Sequence, residues 1–275
     1  MSITHLQALL SAQTLGVDRL DAQLLLLHAL GKPDNGRAWL LAHDGDPLAA
    51  EAAYAFRTLS LRRAAGEPLA YLLGYKEFFG LRFAVDARVL VPRPDTETLV
   101  QWALDVMRAS QIDCPSVLDL GTGSGAVAIA IARNIVCTVL AVDFSQNALA
   151  VARENARQLQ ADVAFGQSNW LESIKGRFHC IASNPPYIAD GDAHLATLEH
   201  EPMSALCAGS EGLDDIRAII EASPVSLYEG GWLLLEHGYD QAAAVRDLLA
   251  KRGFAQVQSR SDLAGIARCS GGQWV

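Results

Sequence analysis

Residues 117–125 read Val117-Leu118-Asp119-Leu120-Gly121-Thr122-Gly123-Ser124-Gly125. The first four are an apolar run of strand length, interrupted by one acid. The next five set glycines at alternate positions, and an apolar helical pattern opens at Val127. Strand, glycine turn and helix in this order bring a ligand close to the backbone, because glycine allows a tight turn with nothing projecting from it. The following apolar run ends Ala141-Val142-Asp143, with the acid 22 residues after Gly121. A carboxylate at that strand end can accept hydrogen bonds from ribose hydroxyls. The stretch therefore predicts a nucleotide-like cofactor.

The spacing is G-x-G-x-G, not the G-x-G-x-x-G of dinucleotide enzymes, and no P-loop lysine follows. With Asp119 ahead of it, the loop resembles the first motif of class I methyltransferases. There it wraps the methionine end of S-adenosylmethionine rather than a pyrophosphate. The cofactor contacts this implies are Asp119, Gly121, Thr122, Gly123, Ser124, Gly125 and Asp143. A second loop, Gly166-Gln167-Ser168-Asn169-Trp170, follows the third strand and in such a fold passes the adenine. Asn169 and Trp170 suit the base edge and the base face, and Trp170 reads equally well as a core anchor.

Outward from the loop the pattern alternates. Strands are expected at Val117–Leu120, Thr138–Val142, Asp162–Phe165, Cys180–Ser183, Trp232–Glu236, Ala255–Ser259 and Ala267–Trp274. Helices are expected at Val127–Arg133, Gln146–Gln158, Asp214–Ala222 and Gln241–Arg252. Such alternation implies α/β architecture: a Rossmann-like, seven-stranded, mostly parallel sheet covered on both faces.

The fourth strand ends in Asn184-Pro185-Pro186-Tyr187, at the carboxyl edge where open sheets bind ligands. This tetrapeptide suits methyl transfer to a planar nitrogen. An amide nitrogen is a poor nucleophile because its lone pair is delocalised, so it must be oriented and its developing charge stabilised. Asn184 offers a side-chain carbonyl, and Pro185 a backbone carbonyl on a rigid residue with no N–H. Proline after Asn184 favours an extended conformation there. Tyr187 offers a face for a planar group. Asn184, Pro185 and Tyr187 are the candidate catalytic residues, and Asn184 to Tyr187 the candidate substrate site.

Residues 1–75 are rich in Leu and Ala at helical spacing. Leu6, Leu9 and Leu10 share one face; Leu20, Leu24, Leu27 and Leu30 share another. Asp18 is the expected N-cap, with Gly31 and Pro33 as stop signals, and Ala49–Ala65 forms a further helix. This predicts a small helical bundle domain. Residues 76–91 read as a hairpin linker through Phe78, Phe79, Gly80, Leu81, Phe83 and Val85. Pro92 and Pro94 then fix an extended approach to a helix from about Thr96 to Arg108, which opens the third region, 92–275.

Of 275 residues, 22 are basic and 31 acidic, giving a net charge of −9. That balance disfavours strong, charge-driven nucleic-acid binding. The five cysteines are odd in number and scattered, without C-x-x-C, so neither a disulfide framework nor a zinc site is expected. No metal is expected. No apolar run approaches the ~20 residues of a membrane span, and the first residues carry no basic export signal. A cytoplasmic setting and no membrane partner follow.

The two motifs together resemble the HemK/PrmC family of release-factor glutamine methyltransferases. So do Gly66-Glu67-Pro68-Leu69-Ala70-Tyr71, Lys76-Glu77-Phe78-Phe79-Gly80-Leu81, Val89 to Glu97 with its P-R-P-D-T-E stretch, Glu201-Pro202 and Leu233-Leu234-Leu235-Glu236-His237-Gly238. The resemblance covers nearly the whole chain. It implies S-adenosyl-L-methionine as cofactor, with S-adenosyl-L-homocysteine as product. It implies a helical domain that docks the protein substrate. It implies class I peptide chain release factors as partners, methylated on the glutamine of their Gly-Gly-Gln motif to tune translation termination. Cofactor contacts carry over to Gly121–Gly125, Asp143, Trp170 and Asn184, although position 169 is Asn where the family often has Asp. The alternatives are amino-methylation of DNA adenine or cytosine, glutamine methylation of a ribosomal protein, and a non-enzymatic scaffold.

Three local expectations complete the reading. Arg93 and Glu97 stand one helical turn apart and suit either a local ion pair or guidance of the substrate. His237 reads as packing at a strand end. The chain's own Gly271-Gly272-Gln273 fits the last strand better than a self-methylation site.

Overall fold

The computed structural model describes residues 3–275. The chain divides into two compact units, Met1–Tyr75 and Lys76–Val275.

The first unit contains α1 (His5–Thr14), α2 (Arg19–Ala29), α3 (Arg37–Ala42), α4 (Ala50–Ala64) and α5 (Leu69–Leu73). Asp18 caps α2, its carboxylate accepting the Leu20 N–H at 2.7 Å. Thr4 and Gln7 form a reciprocal capping box on α1. The packing faces differ from the leucine stripes. In α1 the buried positions are His5, Ala8 and Ala12, while Leu6 and Leu10 are exposed; in α2 Leu20 is exposed and Ala22, Gln23, Leu25, Leu26 and Leu27 are buried. Small residues let helices approach closely, so in α1 the alanine face packs inward, while of the expected leucine stripes Leu9, Leu27 and Leu30 meet the core and Leu6, Leu10 and Leu20 do not. Leu40, Leu48, Phe56 and Leu72 complete that core.

The second unit opens with a hairpin, β1 (Tyr75–Phe78) and β2 (Leu81–Ala84). Its turn residues, Phe79 and Gly80, both have positive φ, +52° and +74°, the twist that two-residue hairpin turns require. A 3-10 turn over Pro94–Thr96 leads into α6 (Glu97–Ala109). Then come β3 (Ser116–Leu120), α7 (Ala126–Asn134), β4 (Thr138–Asp143), α8 (Gln146–Gln158), β5 (Ala164–Gln167), β6 (Phe178–Ser183), α9 (Asp214–Ala222), β7 (Leu227–Glu236), α10 (Ala242–Arg252), β8 (Ala255–Ser261) and β9 (Ala267–Gln273).

The seven strands run in the order β5-β4-β3-β6-β7-β9-β8. All neighbours are parallel except β7–β9 and β8–β9. This is the expected Rossmann-like, mostly parallel sheet. β3 sits between β4 and β6, where the strand order reverses and the carboxyl ends open a crevice. Leu118, Leu120, Ile181, Leu233 and Leu235 face Ile216, Ile219 and Ile220 of α9 and Val245 and Leu249 of α10. The alternate residues Val117, Asp119, Cys180 and Ala182 point to the opposite face, where α6 packs on β6, β7 and α7.

Gly271 and Gly272 serve this packing. A Cβ on Gly271 would stand 2.6 Å from the Leu233 carbonyl oxygen, and one on Gly272 2.8 Å from Phe254 Cβ. The Gln273 side chain donates to Gly230 O at 2.9 Å and accepts from Gln256 Nε2 at 2.6 Å. All five cysteines are free. No helix among the described residues is long and apolar enough to cross a membrane.

Candidate functional site

A cleft of about 290 Å³ opens at the carboxyl ends of β3, β4 and β6. Its floor is the glycine loop. Gly121, Gly123 and Gly125 have φ of +70°, +55° and +84°, a region that side chains enter only under strain. A Cβ on Gly121 would come within 3.1 Å of the Trp170 ring. Asp119 supports the turn from beneath: its Oδ2 accepts the Thr122 hydroxyl at 2.6 Å and the Ala128 N–H at 3.1 Å. Burial pushes the Asp119 carboxyl up to about 7, against those two hydrogen bonds and with the Asp143 charge adding to it. Asp119 also lines the cleft, but its geometry is that of a buttress.

Asp143 ends β4 and lines the cleft. One oxygen accepts the Gly123 N–H at 2.9 Å and the other the Ser145 N–H at 2.8 Å. Burial raises its carboxyl and these N–H groups oppose the rise. Each oxygen retains a lone pair for a hydroxyl.

The far wall is Phe144, Ser168, Asn169 and Trp170. Trp170 combines its two expected readings: it lines the cleft and packs against the main core. Its Nε1 donates to Asp215 Oδ1 on α9 at 3.0 Å. Nothing in the local sequence singles out Asp215, because the pair closes across 45 residues. The Asn169 amide donates to Glu172 at 2.7 Å.

Asn184 to Tyr187 continue β6. Ser183 fixes their start, its hydroxyl donating to Leu120 O of β3 at 2.8 Å. Pro185 and Pro186 are buried. The Tyr187 carbonyl accepts from Gln241 Nε2 at 3.1 Å, and Ile188 bridges to Cys207. Burial pushes the Tyr187 phenol up, Glu236 adding to the effect. The Asn184 Nδ2 donates to Thr96 Oγ1 at 3.2 Å. A smaller cavity of about 70 Å³, lined by Leu90, Arg93, Asn184, Tyr187 and Leu206 among others, adjoins on this side. Asn184 lines both cavities.

The remaining wall comes from residues of two segments, Arg88 to Leu90 with Pro92 and Arg93, and Pro202 with Ser204 and Ala205. The Arg93–Glu97 pair expected from spacing does not form. Arg93 pairs with Glu201, while Glu97 Oε1 accepts the Phe79 N–H at 2.9 Å. The physical reason is Pro94, which opens a 3-10 turn and changes the phase of the chain before α6. His237 is fully buried, its ring nitrogens on Gly238 O and Ser270 Oγ, both at 2.8 Å. It packs as expected.

The cleft thus has glycine backbone beneath it, a strand-end carboxylate at one side and an indole wall. Residues 3–74 match the PrmC N-terminal domain, and residues 101–203 match the methyltransferase small domain. A release factor glutamine methyltransferase of Bordetella pertussis is 48% identical over 94% of this chain and 95% of its own. Its counterpart in Burkholderia pseudomallei is 49% identical over 94% and 92%. The N2 G1207 16S rRNA methyltransferase of T. thermophilus, solved with AdoMet and guanosine, superposes with a TM-score of 0.53 at 18% identity, over 73% of this chain and 50% of that one. That last likeness is one of fold. At nearly half identity along almost the full length of both chains, the protein belongs to the release factor glutamine methyltransferase family.

Proposed function

We propose that this chain methylates the side-chain amide nitrogen of the glutamine in the Gly-Gly-Gln motif of class I peptide release factors. The single observation that carries the chemistry is the place of Asn184, which borders both the glycine-loop cleft and the Tyr187 cavity. A donor in one and an acceptor in the other would meet there.

S-adenosylmethionine is the proposed donor; it supplies an electrophilic methyl on a sulfonium and leaves as S-adenosyl-L-homocysteine. The glycine loop would hold its methionine end, Asp143 its ribose and Trp170 its adenine. Asn184 Oδ1 and the Pro185 carbonyl accept the two N–H bonds of the glutamine amide. This turns the nitrogen lone pair toward the methyl and stabilises the charge that nitrogen gains. The Tyr187 face holds the amide plane. As the C–N bond forms, one amide proton is lost to water, so no strong base is needed.

The helical unit Met1–Tyr75 is the proposed docking element for the release factor, and the cytoplasm the proposed setting. The net charge of −9 supports a protein substrate over a nucleic acid. The test is methyl transfer from labelled S-adenosylmethionine to a purified class I release factor, with its glutamine replaced by Ala as control and duplex DNA in parallel. Label on the native factor alone, lost by Asn184→Ala, is the expected result. Label on DNA, or none, would overturn the substrate.

A further inference from the structure

Asn155 lies inside α8 and is fully buried. Asparagine is a poor helix former and an expensive residue to bury, and the other buried residues of this helix, among them Leu149, Val151 and Ala152, are apolar. Both ends of its carboxamide are engaged. Oδ1 accepts the Ala84 N–H at 2.8 Å, and Nδ2 donates to Ala84 O at 3.0 Å and to Ser124 O at 2.9 Å. One N–H and two carbonyls face this side chain, so only one orientation of the amide fits. An aspartate in its place could only accept, and a leucine could do neither.

Both partners lead to the glycine-loop cleft, which Asn155 itself does not line. Ser124 is buried within the loop and lines the cleft. The Ser124–Gly125 peptide is held at both ends: the Gly125 N–H donates to Thr122 O at 2.8 Å, and the Ser124 carbonyl meets Asn155. Gly123 and Gly125 flank Ser124 at φ of +55° and +84°. Glycine adopts either sign of φ with little preference, so the loop's own sterics leave this peptide free to turn over. Ala84 ends β2, four residues before Arg88, where the opposite wall of the cleft begins.

We propose that Asn155 is a positioning residue for the cofactor: its carboxamide locks the Ser124–Gly125 peptide in one orientation and ties the glycine loop to the strand that enters the opposite wall. The inference rests on the proposed use of this cleft for S-adenosylmethionine. Without the amide, the loop samples more than one peptide orientation. The cofactor binds only the competent one, so its affinity falls by the competent fraction. Once bound, the cofactor itself holds the loop, and the rate of methyl transfer at saturation changes little.

The experiment measures calorimetric binding of S-adenosylmethionine and single-turnover methylation of the release factor at saturating cofactor, for wild type, Asn155→Ala, Asn155→Asp and Val151→Ala. Asn155→Asp keeps the volume and the acceptor for Ala84 but loses both donors. Val151→Ala leaves a cavity in the same helix without touching the amide contacts, and so controls for loss of stability. Both Asn155 variants are expected to bind the cofactor about 10-fold more weakly, the worth of one net hydrogen bond, with the saturated rate within about threefold of wild type. Val151→Ala is expected to keep wild-type affinity. Unchanged affinity in the Asn155 variants, an equal loss in Val151→Ala, or a saturated rate that falls as far as the affinity would overturn the proposal. If neither Asn155 variant folds, amide hydrogen exchange on wild type decides it. Coupling between sites is reciprocal, so added S-adenosylmethionine should slow exchange of the Ala84 N–H beyond any change at Leu249 of α10, and equal changes at the two would overturn the proposal. A wild type that binds no S-adenosylmethionine would instead overturn the cofactor reading beneath it.

Discussion

Glu201 holds two segments that are 108 residues apart in the chain: one carboxylate oxygen takes the Arg93 guanidinium and the other the Val91 N–H, at 3.1 Å. The Glu201 side chain is only 2% exposed, whereas Arg93 is 37% exposed. Residues on both segments line the cleft, so this contact sets the spacing of its walls.

Arg93→Ala leaves Glu201 buried with one backbone donor. The expected loss is about 1–3 kcal/mol of stability, below the figure for a fully buried pair because Arg93 is partly solvated. Glu201→Gln keeps an acceptor for Val91 and should cost less. Urea unfolding of both variants checks the order. Equal stability of Arg93→Ala and wild type would mean that the pair is a surface contact of no consequence.

Gly125 and Gly123 separate two roles of glycine in one loop. A Cβ at Gly125 would stand 2.8 Å from Ile129 Cδ1 and 3.3 Å from Ala152 Cβ, whereas one at Gly123 meets nothing within 4 Å. Both sit at positive φ. Gly123→Ala should therefore cost about 1 kcal/mol of backbone strain, and Gly125→Ala roughly 2–4 kcal/mol through strain and overpacking together. Chemical denaturation that ranked Gly123→Ala as the worse variant would contradict this assignment.

These contacts also show what the sequence reveals. The glycine loop, Asp143 and Asn184 are legible because each function is set by position at the end of an apolar strand, and the seven strands and their helices follow from the same alternation. Thr96, Glu201, Asp215 and Gln241 are not legible as site residues. Each acts through a partner 29 to 110 residues away, and no local pattern encodes such a pair. Spacing misassigns Arg93 to Glu97 because a helical count assumes a helix, and Pro94 starts a tighter turn. It misplaces the packed face of α1 because Leu6 and Leu10 outweigh Ala8 and Ala12 in hydrophobicity, while close helix packing favours the smaller pair.

Trp170 makes the cleft wall testable by light. Its indole N–H is held by Asp215, whose carboxyl is raised by burial. With adenine stacked on it, its emission should change on cofactor binding. Trp170→Phe should abolish that change and weaken S-adenosylmethionine binding roughly tenfold, through lost aromatic contact and lost orientation. Fluorescence titration against calorimetry checks both parts. A full fluorescence change in Trp170→Phe would place the responsive indole elsewhere.

Four acids, Asp119, Asp143, Asp215 and Glu236, have carboxyl pKa values raised by burial, two of them to about 7. The folded chain therefore keeps protons that the unfolded chain releases near pH 4. The stability this gives is fully present below about pH 4 and is lost as pH rises through about 7. His179 and His237, lowered by burial, act in the opposite sense as they titrate, so the informative comparison is between variants. In Asp119→Asn one of the raised acids is gone. Its unfolding free energy without cofactor should fall less steeply between pH 5 and pH 8, by up to about 1.4 kcal/mol per pH unit for the one proton removed. Glu236 keeps part of the slope. Urea unfolding at four pH values measures it, and parallel profiles for Asp119→Asn and wild type would show that Asp119 ionises in the folded protein as readily as in the unfolded chain.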